Sequence, residues 1–252
     1  MTPSLPFDQS AVISIIGAGG KTSLMFYLAR ALKGNVITTT TTKVGYDQLQ
    51  GADQLLTYDQ FMGQPEQCLQ AKVNWVSRVL DSSQRKVDGF SPLEFRWMTA
   101  VARSYGLPII NEADGAHCRH IKAPSDFEPV IPEETTHVLS LVGLDVLGQP
   151  INDQVVHRLP LFTGITGTLE GMQITEEVII AAYCHPMGGF KNTPATASKI
   201  AVLNFADSEE RVLAGRRIAR KLFSAGIDEV WLTSMKPGNQ RILERLRNEE
   251  KR

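Results

Sequence analysis

The chain has 252 residues, 42% hydrophobic and 21% charged, which suits a packed α/β domain and excludes wholesale disorder. Its 26 basic and 27 acidic residues leave a formal charge of −1, so no global pull toward nucleic acid or an anionic membrane is expected. No run approaches the roughly 20 apolar residues of a membrane span, residues 1–10 lack a secretory leader pattern, and Cys68, Cys118 and Cys184 lack a disulfide pattern, so a cytoplasmic, reducing location is expected.

Residues 11–16 form a short, β-branched apolar run ending at Gly17, the pattern of a buried parallel strand. From Thr22 the spacing becomes helical through Leu24, Met25, Leu28 and Leu32, with Gly34 placed as a left-handed cap. Residues 35–40 read as a second strand, completing a βαβ unit with an expected right-handed crossover. Residues 58–69 look partly helical, 74–80 like a strand and 85–89 like a turn. A helix capped by Ser91 starts at Pro92 and runs through Phe95, Met98, Val101 and Ala102. Strands are expected at 107–111 and 138–142, separated by a loop holding Pro124, Pro129 and Pro132. Glycines and polar residues dominate 143–171, which reads as a surface excursion or small subdomain. A helix at 175–183, a strand at 200–204, a basic helix at 208–223 and a strand at 229–232 follow, then a charged tail at 240–252 that is helical or frayed. Trp75, Trp97 and Trp231 are expected in or beside the core.

This alternation predicts an α/β, three-layer P-loop NTPase-like domain with a mostly parallel sheet. Residues 1–142 and 196–252 would form the nucleotide-binding core, with a loop-rich insertion at 143–195.

Gly17-Ala18-Gly19-Gly20-Lys21-Thr22-Ser23 sits at the first strand-to-helix junction. Glycines let the backbone approach phosphate closely, and the helix N-terminus adds a favourable dipole. In such loops the lysine reaches the β- and γ-phosphates and the hydroxyl takes Mg2+. Ile15 occupies the first glycine position of the usual pattern, so this is a shortened G-x-x-G-K-T form, like that of the Mur-type peptide ligases. Residues 17–23 are therefore assigned to nucleotide binding, ATP or GTP, with Lys21 also catalytic.

Asp114, following the strand at 107–111, is expected to hold Mg2+ with Thr22. Glu112 would position water or take a proton; a capping or surface role is the alternative for either acid. Thr38 to Lys43 lie at the end of the second strand, where ligands of open α/β sheets dock. Thr38 to Thr40 also fit a purely structural strand, leaving Thr41, Thr42 and Lys43 as γ-phosphate or metal candidates.

Several segments in order, IIGAGGKTS (15–23), VITTTTTKV (36–44), NEADGAHCRHIKAPSDFEPVIP (111–132), VHR (156–158), GGFKNTP (188–194) and VLNFAD (202–207), resemble YqeC-like proteins. The resemblance implies a nucleotide-binding accessory protein in maturation of a selenium-dependent molybdenum hydroxylase or its cofactor. Its partner would be such a hydroxylase or a cofactor-maturation protein. The loop also suits a ligase or transferase that activates a small acid or cofactor, or a nucleotide-binding module that hydrolyses nothing.

Asn204-Phe205-Ala206-Asp207 keeps the ends of the Asn-Lys-x-Asp run by which many GTPases read guanine, with phenylalanine in place of lysine. Asn204 and Asp207 are thus base-contact candidates with weak expected guanine selectivity, and Phe205 could stack on a base. Alternatively, Asp207 and Glu210 form a helix-capping box and Phe205 is core. His117, Cys118 and His120 have ligand-like chemistry, but zinc requires further ligands, for which Cys184 and His185 are the distant candidates. Cys118 beside Arg119 is either an activated thiolate or inert. Lys122, His157, Arg158 and Lys191 are either site or surface cations.

Overall fold

The computed structural model describes residues 5–80, 86–236 and 238–248. Arg85, at the start of the expected 85–89 turn, and the end of the expected tail lie outside these residues. In chain order the elements are β1 (Val12–Gly17), α1 (Lys21–Ala31), β2 (Val36–Thr40), β3 (Val44–Gly45), β4 (Gln54–Thr57), α2 (Tyr58–Gly63) and β5 (Val73–Ser77). Then come β6 (Lys86–Val87), α3 (Pro92–Ser104), β7 (Ile109–Glu112), β8 (Ile121–Lys122), β9 (His137–Gly143), β10 (Val156–His157) and α4 (Leu159–Thr166). The chain continues through α5 (Glu176–Cys184), β11 (Ser198–Asn204), α6 (Glu209–Ser224), β12 (Glu229–Ser234) and β13 (Arg241–Arg247).

The fold is α/β, built on a nine-stranded sheet in the order β13-β12-β11-β9-β1-β7-β2-β5-β4. Its strands run parallel except β13, which is antiparallel to β12. Strand pleating splits the core into two faces. Ile13, Ile15, Leu139, Leu141 and Val202 share a cluster with Leu24, Met25 and Leu28 of α1. Their alternates face the other way: Val12, Ile37 and Ile109 meet Phe61, Phe95 and Met98 of α2 and α3, while Ala201, Leu203 and Leu232 meet α5 and α6. Three layers result, with the central strands buried on both faces, as their near-continuous apolar sequences require.

Four expectations change. The unit at 12–40 is not a neighbouring pair of strands, because β7 inserts between β1 and β2 and pairs with both. The tail is neither helical nor frayed over 241–247. It forms the antiparallel edge, where Arg245 and Arg247 pair with Glu229 at 2.9 and 3.1 Å and Arg245 lies 5.2 Å over the Trp231 ring. The segment 143–171 contributes core, since Ile151, Val156 and Phe162 are buried with α5 and α6. Trp97 is 57% exposed, whereas Trp75 and Trp231 are buried.

Candidate functional site

The candidate site grows from the end of β1. Gly17, Gly19 and Gly20 have φ of +91°, +89° and +107°, a left-handed region that other residues enter only with strain. At Gly17 space is also decisive: a Cβ there would lie 2.3 Å from the Leu141 carbonyl oxygen. The neighbouring Ala18 N–H donates to that same carbonyl at 2.9 Å, binding the loop to β9.

Asn204 ties the loop down from the other side. Its Nδ2 donates to the Gly19 carbonyl at 2.7 Å, while its Oδ1 accepts from Thr233 Oγ1 and the Met235 N–H, each at 3.0 Å. The side chain is fully buried. Both ends of the amide are thus engaged in joining the glycine loop to β11 and β12, so Asn204 is placed as a loop-positioning residue rather than a base contact.

The start of α1 meets the acids at the end of β7. Lys21 Nζ donates to the Gly17 carbonyl at 3.0 Å and lies 3.3 Å from Asp114 and 3.6 Å from Glu112. Thr22 Oγ1 donates to Glu112 Oε2 at 3.0 Å. Asp114 Oδ2 accepts the Gly17 N–H at 2.8 Å and Lys122 Nζ at 3.0 Å. The structure therefore brings Lys21, Thr22, Glu112 and Asp114 together, but the threonine partner is Glu112, not the expected Asp114. The reason is geometric: Glu112 is the last residue of β7, beside β1, whereas Asp114 turns back beneath the loop.

Burial disfavours the charged forms here, and neighbours decide the outcome. Burial lowers Lys21, yet the charges of Asp114 and Glu112 outweigh it and hold the ammonium above the ordinary lysine value. Burial raises the Glu112 carboxyl above the ordinary range, only partly offset by Lys21 and the Thr22 hydroxyl. Behind Asp114, Lys122 also pairs with Glu128 at 3.0 Å, and Arg158 reaches Glu128 at 2.6 Å. Burial raises the Glu128 carboxyl, but Arg158 and Lys122 prevail and hold it at about 2. Lys191 is buried and donates to the Ser125 and Asp126 carbonyls at 2.7 and 3.1 Å. Lys122, Arg158 and Lys191 are thus braces of the 124–132 loop.

Residues 19–23 open onto a cleft of about 440 Å³, walled by Lys43, Gly45, Gln48 and Lys86 on one flank and by residues 115–120 on another, with Glu112 also lining it. Lys43 stands on the rim, its side chain 70% exposed and 3.3 Å from Asp88. Thr41 does not line the cleft; its buried hydroxyl donates to the Val130 carbonyl at 2.6 Å. Thr38 and Thr39 bond to β5 carbonyls and Thr40 to that of Glu112, the structural alternative for these hydroxyls.

Residues His117 and Cys118 have φ of 46° and 58°. His117 stacks on His157, which burial first, then Arg158 and Lys122, lower to about 4. His120 stacks on Phe205 with centroids 4.7 Å apart and bonds Asp145 at 2.7 Å. Among the described residues no group of three or more His, Cys, Asp or Glu is arranged to hold a metal ion, so the His117–His120 segment is not built as a zinc centre. Cys118 is exposed. Asp207 accepts from Ser234 Oγ at 2.5 Å and pairs with Lys236 at 3.0 Å. Ser208, not Asp207, caps α6 by accepting from the Arg211 N–H at 3.3 Å, which removes the capping-box alternative. The positioning roles of Asn204, Glu128 and Asp145 were not legible one residue at a time. Two of them lie in motif segments, and that was the only sequence signal pointing to them.

The geometry can be set beside known proteins. A family model described as "YqeC protein" matches residues 13–160, spanning the glycine loop, the acids at the end of β7 and the 115–132 segment. A protein of Escherichia coli (strain K12) described as "Uncharacterized protein YqeC" is 31% identical over 227 residues, 89% of this chain and 87% of that protein. No solved structure matches. Among the described residues no helix is long and apolar enough to cross a membrane. A match across most of the chain is a property of the whole fold rather than of one motif, and on it the chain belongs to the YqeC family.

Proposed function

We propose that this chain binds a nucleoside triphosphate with Mg2+ through residues 17–23 and hydrolyses it as an accessory protein. The observation that carries the reading is the junction of β1 and α1: a left-handed glycine loop whose lysine and threonine converge on a strand-end carboxylate inside an open cleft. Backbone N–H groups and the helix N-terminus suit phosphate oxygens. Lys21, now paired with Glu112 and Asp114, is a cation that phosphate oxygens can recruit.

The oxygen donors fit Mg2+: a threonine hydroxyl and one carboxylate 3.0 Å apart are the few protein ligands this ion takes when phosphates and water supply the rest. Thr22 and Glu112 would hold it, and it would neutralise charge on the phosphates. Asp114 fixes the loop through Gly17, and Lys21 would reach the β- and γ-phosphates. The client in this reading is a selenium-dependent molybdenum hydroxylase or its cofactor, matured in the cytoplasm, as the sequence resemblance implies. Titration calorimetry with Mg2+ and slowly hydrolysed ATP and GTP analogues tests the binding. Micromolar or tighter binding is expected for the wild type, with at least a hundredfold loss in Lys21→Ala. Equal affinities for the two proteins would remove the loop from the function.

A further inference from the structure

We propose that the ends of β11 and β12, which adjoin the glycine loop at Gly20, form a base subsite that selects guanine over adenine. The inference rests on the triphosphate reading above and names the base that reading leaves open. Three observations converge. Gly20 lies against both strand ends, since a Cβ on it would sit 2.6 Å from Asn204 Nδ2 and 3.7 Å from Met235 Cβ. Residues 205–207 and 234–236 continue from those strand ends, so a nucleoside leaving the loop past Gly20 would meet them.

Second, Asp207 presents a carboxylate that serves no helix cap. Its Oδ1 is held by Ser234 Oγ, and its Oδ2 meets Lys236, whose side chain is 55% exposed. Withdrawal of that exposed ammonium leaves a fixed acceptor, oriented by Ser234, for in-plane donors. Third, Phe205 is a bulky residue held at φ 58°, a conformation that is costly unless its surroundings enforce it. Its half-buried ring, two residues before Asp207 in the chain, stacks on His120, which Asp145 holds by a hydrogen bond. A flat aromatic platform takes any base, so discrimination falls to Asp207. Guanine offers N1–H and N2–H side by side, two donors for one carboxylate. Adenine presents an acceptor at N1, which a carboxylate repels. A site built for donors rejects the analogue lacking them far more strongly than a hydrophobic pocket could. The Phe205–His120 stack stands in for the lysine stem whose absence from the sequence predicts weak selectivity.

The test is competition among Mg2+-bound GTP, ITP, ATP and XTP for the full chain and for Asp207→Asn, with Ser208→Ala as a capping control. Expected for the wild type is GTP at least tenfold tighter than ATP, with ITP between them because hypoxanthine lacks the N2 amine. Asp207→Asn should lose GTP tenfold or more and gain XTP, whose C2 carbonyl accepts from the new amide; Ser208→Ala should change no ranking. The wild-type ranking decides even if Asp207→Asn fails to fold. Equal binding of GTP and ATP, or ATP alone, overturns the base subsite and leaves the triphosphate reading standing. No binding of any triphosphate overturns both.

Discussion

Glu112 and Asp114 are two residues apart and do different work, because one ends a strand and the other turns beneath the glycine loop. Replacing Thr22 with Ala or Glu112 with Gln should therefore weaken Mg2+-dependent binding by about tenfold, the effect of one charged contact, and barely alter binding in EDTA. Asp114→Asn should weaken both alike, since it loosens Gly17, and should lower stability by about 1–3 kcal/mol because buried Lys122 and Lys21 each lose a carboxylate partner. Paired titrations with and without metal, plus urea unfolding, separate the two acids; a loss confined to Mg2+ for Asp114→Asn would restore it to the metal. Gly17→Ala is a sharper probe of the loop, because its Cβ would collide with β9 backbone rather than a movable side chain.

The last strand is the element whose sequence misled most. RILERLR has helix-forming residues and little β-branching, yet it becomes β13 because β12 offers an open edge and Glu229 gathers Arg245 and Arg247. Arg245 is almost fully buried over Trp231. Arg245→Ala should cost about 2–3 kcal/mol, with Glu229 left short of a partner, and leave nucleotide affinity unchanged. Chemical denaturation checks it; a neutral result would mean that Arg247 alone satisfies Glu229. At α6 the contrast is milder: Ser208→Ala should cost about 1 kcal/mol, as a lost N-cap does.

At the scale of the whole molecule, stability should depend on acid through the hub that braces the 124–132 loop. Glu128 has a folded value near 2 against an ordinary 4.5. A depressed carboxyl contributes stability above its unfolded value and loses it as pH falls through the folded one. The wild type should therefore lose on the order of 2 kcal/mol between pH 4.5 and 2 from this group. Glu128→Gln should show that loss already at neutral pH and a flatter acid limb in urea midpoints. An unchanged acid limb would mean that the hub persists without the charge.

Local patterns in the sequence determined the elements with strong periodicity, the capping of α3 by Ser91, and the glycine loop between β1 and α1. These depend on residues within one or two turns of each other, so spacing alone carries them. Tertiary structure alone decided that β7 lies between β1 and β2, that the tail closes the sheet edge, and that Thr22 faces Glu112 while Asp114 holds Gly17. It also turned Asn204 from a base reader into the clasp of the loop, 185 residues away. Such pairings depend on strand order, and strand order is set by which apolar faces are buried together across the whole chain, a property no local window contains.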